Sequence, residues 1–139
     1  MTVRCWCGQE LLVREPLPTR RGGETFSFEH RGLHFNATTG RRGPDEPIAE
    51  VFLNIAPTKG GKYGSDSDLA ARDAAVAVSL ALQHGVPLGV LQRAMGKELD
   101  GTPSSPIGKL LELIVSMESQ NAPTLERTGD AGKAERADE

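Results

Sequence analysis

Aromatic residues are scarce in this chain: one Trp, one Tyr and four Phe in 139 residues. A core with so few rings must rest on Leu, Val, Ile and Ala, and an apolar content of 37% makes it a small one. There is no excess of one charge. The net value is -3 with both signs interspersed, so nothing global indicates nucleic acid or an anionic membrane as a partner. No apolar run approaches the roughly 20 residues that span a bilayer, and the N-terminus lacks the apolar stretch of a signal peptide. The expectation is a cytoplasmic protein with no membrane partner.

Cysteine is nearly absent too. Cys5 and Cys7 stand alone in RCWCGQE. Structural zinc sites use about four ligands, with paired cysteines about two residues apart. Here one residue intervenes, and His30, His34 and His84 fall at no ligand spacing, so no metal is expected. Two such thiols could exchange reversibly with a disulfide, which makes Cys5 and Cys7 a candidate redox pair. The plainer reading is two reduced thiols near a chain end.

What is present divides the chain into three. Residues 1–23 read as irregular, with Pro16 and Pro18 ahead of Arg20-Arg21-Gly22-Gly23. Residues 119–139 are charged and small, with too little apolar surface to offset their ordering entropy, and read as a disordered tail. Residues 24–118 form the expected folded unit. In it, ETFSFEH and LHFNATT alternate with period two around Arg31-Gly32, as a β-hairpin does. IAEVFLNI reads as a third strand.

After the glycine loop the period lengthens. Asp66 or Ser67 caps a helix that runs to His84 and stops at Gly85. On a helical wheel Leu69, Ala70, Val76, Ala77, Leu80 and Ala81 form one broad apolar face, and Asp73 falls on it. A carboxylate there needs a partner, so Arg72 and Asp73 are read as structural polar residues. Pro87 opens a short helix with Leu88, Leu91 and Met95 inward. Ser105 caps a last helix whose Ile107, Leu110, Leu111 and Ile114 point to the core. The expectation is an α+β domain: a three-stranded antiparallel sheet followed by three helices packed on one face.

Three groups could carry chemistry. GGKYGSDSD resembles a phosphate loop but fails the Walker pattern, since Lys62 is followed by Tyr63 rather than Ser or Thr. A weaker anion site remains, built from Lys59, Lys62, Ser65 and the amides of the following helix. Asp66 and Asp68 oppose it from the same positive end. Arg20-Arg21 and Arg41-Arg42 should lie near one end of the sheet, either as a docking patch for an acidic partner or phosphates, or as solvated loop charge. No Ser/His/Asp set, isolated carboxylate pair or metal cluster suggests an independent active site, so no catalytic residue is assigned.

Four blocks in order carry a resemblance: LPTRRGGETFSFEHRGLHFNATTGR, IAEVFLN, GSDSDLAARDAAVAVSLALQHGVPL and DGTPSSPIGKLLELI. Together they resemble the TSCPD domain, the C-terminal domain of adenosylcobalamin-dependent (class II) ribonucleotide reductases, over residues 17–115. Where that family spells Thr-Ser-Cys-Pro-Asp, this chain reads Thr102-Pro103-Ser104-Ser105-Pro106-Ile107, with serine at the cysteine position. A metal or redox role for that cysteine therefore does not carry over. In the family, the catalytic barrel that binds adenosylcobalamin lies outside this domain. The resemblance thus implies no cofactor bound by this chain and no ribonucleoside-diphosphate reductase activity of its own. It implies an accessory or interaction module in deoxyribonucleotide synthesis, whose partner is a larger ribonucleotide reductase chain or another nucleotide-metabolism protein. The open sheet face adds a homodimer as an expectation. The alternative is a small nucleotide- or phosphate-binding regulator that uses Lys59, Lys62, Ser65, Arg20 and Arg21.

Overall fold

A computed structural model describes residues 2–4, 10–20, 22–57 and 62–120. Cys5, Cys7, Arg21, Lys59 and the expected tail beyond residue 120 lie outside the described residues. The first 23 residues are not irregular throughout. Strand β1 (Thr2–Arg4) pairs antiparallel with β2 (Glu10–Leu12) as a separate two-stranded sheet.

The main sheet has the order β3-β4-β5, all antiparallel: β3 Gly23–His30, β4 Leu33–Arg41 and β5 Ile48–Ile55. The β3–β4 turn is the two-residue Arg31-Gly32 unit, with φ of 52° and 82°. Two successive left-handed residues match the strand twist, and glycine takes the second at no steric cost. Alternation then sorts side chains to two faces. Phe28, Phe35 and Ile55 align on the core face, as do Phe26, Ala37 and Leu53. Thr25, Thr38 and Phe52 line the other face beside Ser27, Asn36 and Asn54. A register shift at Gly40/Arg41 ends the regular pairing of β4 with β5.

Three helices follow: α1 Asp66–Gln83, α2 Leu88–Ala94 and α3 Pro106–Gln120. They complete the expected α+β arrangement. The cap of α1 is Ser65, one residue before the expected pair, and its side chain accepts the N–H of Asp68 at 3.3 Å. Gly85, at φ 93°, stops the helix. Pro87 sits just before α2 rather than inside it. The hydroxyl of Ser105 accepts the N–H of Gly108 at 3.1 Å, as expected of the α3 cap, and α3 runs to Gln120, past the expected boundary. The core joins Phe35, Val51, Leu53 and Ile55 of the sheet to Ile107, Leu110, Leu111 and Ile114 of α3 and to one stripe of α1.

That α1 stripe is not the expected one. Ala71, Ala75, Val78 and Leu82 are buried, together with Asp68, Ser79 and Gln83. Leu69, Val76 and Leu80 are 48%, 57% and 39% exposed, Ala70 and Ala77 are exposed, and Ala81 is only half-buried. The helix is turned so that its small residues face in. Its neighbour explains why. The backbone of β5 alternates between bonding β4 and pointing away from it, and the outward groups belong to its odd-numbered residues. Such an edge needs partners. The three buried polar side chains of α1 supply them, and the small alanines between let the helix come close enough to do so.

Candidate functional site

The seam between α1 and β5 is the most specified place in the molecule. The Ser79 hydroxyl accepts the N–H of Val51 and donates to its C=O, both at 2.9 Å. The Gln83 amide donates to the C=O of Ala49 at 3.2 Å. Asp68, fully buried, accepts the N–H of Ile55 and of Gly64, both at 2.8 Å. Unpaired, each of these backbone groups costs about 1–3 kcal/mol in a dry seam. Burying one aliphatic side chain gains about 1.5–3 kcal/mol. Four β5 groups satisfied at once offset the aliphatics left outside, and the chosen stripe still buries Val78 and Leu82.

Arg72, one turn beyond Asp68, reaches the same carboxylate at 2.9 Å and lies over the Tyr63 ring, 5.8 Å from its centre. Burial pushes the Asp68 carboxyl upward. The amides of Ile55 and Gly64 and the guanidinium of Arg72 outweigh it and hold the group below its ordinary value. The expectation that Asp73 is a structural carboxylate on the buried face is therefore corrected. Arg72 is structural through Asp68, whereas Asp73 projects outward and is exposed.

Among the described residues, Lys62 and Ser65 do not gather into one ligand site with Arg20. Ser65 serves as the cap of α1, and Lys62 is exposed beside it. Asp68 has already taken the amides of Gly64 and Ile55. Arg20 lies towards the other end of β5, where it lines a depression of about 750 Å³ with Thr38, Gly40, Glu50 and Phe52. From Glu50 to Ile55 the strand covers about 17 Å at 3.3 Å per residue. Of the basic residues, Arg41 and Arg42 are engaged within the fold. Arg41 donates to the Glu118 carboxylate at the far end of α3, 3.1 Å away through one nitrogen, and Arg42 reaches the backbone C=O of Glu15.

Outside the seam lies an apolar surface. Leu69, Val76 and Leu80 run down the outer side of α1, and Phe52, 51% exposed, stands beside Val76 and Leu80 on the open sheet face. Between them is a groove of about 540 Å³ lined by Phe52, Asn54, Arg72, Val76, Leu80 and Arg14. A second hollow, of about 350 Å³, separates the β3–β4 turn from the starts of α1 and α3, and is lined by His30, Ser67, Ala74 and Ser105. There a ring nitrogen of His30 lies 3.3 Å from the C=O of Ser104. Among the described residues no three His, Cys, Asp or Glu side chains are grouped to hold a metal, and no helix is long and apolar enough to cross a membrane.

Residue-by-residue reading missed Ser79 and Gln83. The available signal was spacing: Asp68, Ser79 and Gln83 share a helix face with Ala71 and Ala75, polar groups on an alanine seam. No family model matches the chain, and neither a curated protein nor a solved structure matches it.

Proposed function

We propose that this chain is an accessory interaction module in deoxyribonucleotide synthesis, with no active site of its own, that docks onto a larger protein through the outer side of α1 and Phe52. One observation supports the docking surface: a helix packed on one side keeps three large aliphatic residues, Leu69, Val76 and Leu80, in solvent, the last two beside an exposed ring. Contiguous apolar surface of this kind marks protein–protein contact sites. Arg14 and Glu50 border the groove with opposite charges, and Arg72 there is already paired with Asp68, so its apolar residues carry the docking argument. The resemblance to the reductase C-terminal domain names the expected partner, a larger ribonucleotide reductase chain. The phosphate-binding alternative draws less support, because the Gly64 amide is already held by Asp68 and the Asp68 amide by the Ser65 cap.

The test is affinity capture from cells at low salt with wild-type, Val76→Glu and Leu80→Glu chains. The wild-type chain should retain the reductase, and both variants should lose it with their melting temperature unchanged. Retention by the variants, or unaltered reductase activity in cells lacking this chain, would sink the proposal. Isothermal calorimetry with nucleoside triphosphates tests the alternative directly.

A further inference from the structure

The sheet has two edges, treated in opposite ways. On β5 the outward C=O of Ala49, both groups of Val51 and the N–H of Ile55 are taken by α1. On β3 no described residue takes the outward groups. The Arg31-Gly32 turn makes His30 and Leu33 a hydrogen-bonded pair, and the bond from Arg41 N–H to the Gly22 C=O, 3.1 Å, continues the same alternation. Even-numbered residues of β3 therefore bond β4, and the N–H and C=O groups of Thr25, Ser27 and Glu29 point away from the sheet. No hydrogen bond reaches them among the described residues, and all three residues are exposed. Natural edges are blunted by charged side chains, lysine above all, by proline, by a bulge or by a covering element. Strand β3 carries two carboxylates, Glu24 and Glu29. Gly23–His30 contains neither lysine nor proline, and its pairing with β4 is unbroken.

We propose that β3 pairs antiparallel with β3 of a second copy of this chain, joining the two three-stranded sheets into one across a two-fold axis at Ser27. Geometry restricts the register. Outward groups must meet outward groups, and core faces must stay on one side, so odd residues oppose odd ones. Centring on Ser27 sets Thr25 against Glu29, Phe26 against Phe28, and Glu24 against His30. A carboxylate then faces an imidazole at each end, with a hydroxyl beside a carboxylate on the open face. Phe26 and Phe28, only half-buried in one copy, gain aromatic cross-strand partners. Centring on Phe26 keeps the faces but sets Glu24 against Phe28 and leaves His30 overhanging. The Glu24–His30 and Thr25–Glu29 polar pairs select Ser27. This contact lies on the opposite sheet edge from the α1 groove, so it stands or falls independently of the partner proposed above.

Sedimentation of the full chain should give twice the 14.9 kDa of one copy. Ser27→Pro removes an N–H that β4 does not use, which an edge strand tolerates. It should yield a folded monomer with unchanged far-UV circular dichroism. To check the register without relying on that variant, Glu24→Cys and His30→Cys chains are made with Cys5 and Cys7 changed to Ser, and oxidised with glutathione disulfide. A non-hydrogen-bonded antiparallel pair holds Cα atoms about 4.5 Å apart, within disulfide reach. The mixture should cross-link, and neither chain alone should. A monomeric wild-type chain, a dimer that survives Ser27→Pro, or a mixture that fails to cross-link would each overturn the proposal.

Discussion

Ile55 donates its backbone N–H to the buried carboxylate of Asp68 across 2.8 Å, tying the last strand of the sheet to the first turn of the helix that follows it. The same carboxylate holds the Gly64 N–H and receives Arg72. One side chain therefore fixes where the connecting loop ends, where α1 begins and how that helix sits on the edge of β5.

Replacing it should be costly. Asp68→Ala leaves the Ile55 and Gly64 amides without an acceptor, each worth about 1–3 kcal/mol, so unfolding in urea should show a loss of about 2–5 kcal/mol. The pH dependence has a definite sign. The folded carboxyl titrates below its ordinary value of 3.8, so its contribution is fully present above that value. It disappears as the pH falls through the lower folded value. Wild-type stability should drop over that acid range, and Asp68→Asn, which cannot ionise there, should show a shallower drop. Equal slopes for the two would show that the Asp68 charge does not matter.

Ser79 tests the edge-covering role of α1 separately. Its hydroxyl serves both the N–H and the C=O of Val51. Ser79→Ala keeps helix propensity and volume nearly constant but strands both groups, and should cost about 1–3 kcal/mol. Hydrogen exchange should then show faster exchange at the Val51 amide than at amides that bond β4. A uniform change across the sheet would argue against a local role.

Arg41 and Glu118 connect the end of β4 to the end of α3. The hydrogen bond to Glu118 holds the Arg41 guanidinium above its ordinary value, against the opposing effect of burial. Both side chains are partly sheltered, at 22% and 32% exposure. Glu118→Gln should lower stability by about 1.5–3 kcal/mol, the range for hydrogen bonds to charged groups. The loss should shrink little in high salt, because a sheltered two-point contact is screened less than an open ion pair. A loss abolished by salt would mark the pair as a surface interaction.

Much of the fold is legible along the chain, and the legible parts share a cause. The β3–β4 turn follows from Arg31-Gly32, the strand faces from the alternation of Phe26, Phe28, Phe35 and Ala37, and the stop of α1 from Gly85. Each depends on neighbours a few residues away, where backbone sterics and side-chain period act directly. The interior of α3 is legible too, because Ile107, Leu110, Leu111 and Ile114 form a single apolar arc with no competitor.

The phase of α1 is another matter. The helix carries two arcs: Leu69, Val76 and Leu80 on one, and Ala71, Ala75, Val78 and Leu82 on the other, the second flanked by Asp68, Ser79 and Gln83. Ranked by hydrophobicity alone, the first goes inward and Asp73 goes with it. The sequence determines that this segment is a helix, where it stops, and that both arcs exist. Only the tertiary structure decides which arc is buried. β5 lies at a sheet edge, and its outward amides and carbonyls need the polar groups that only the alanine arc brings.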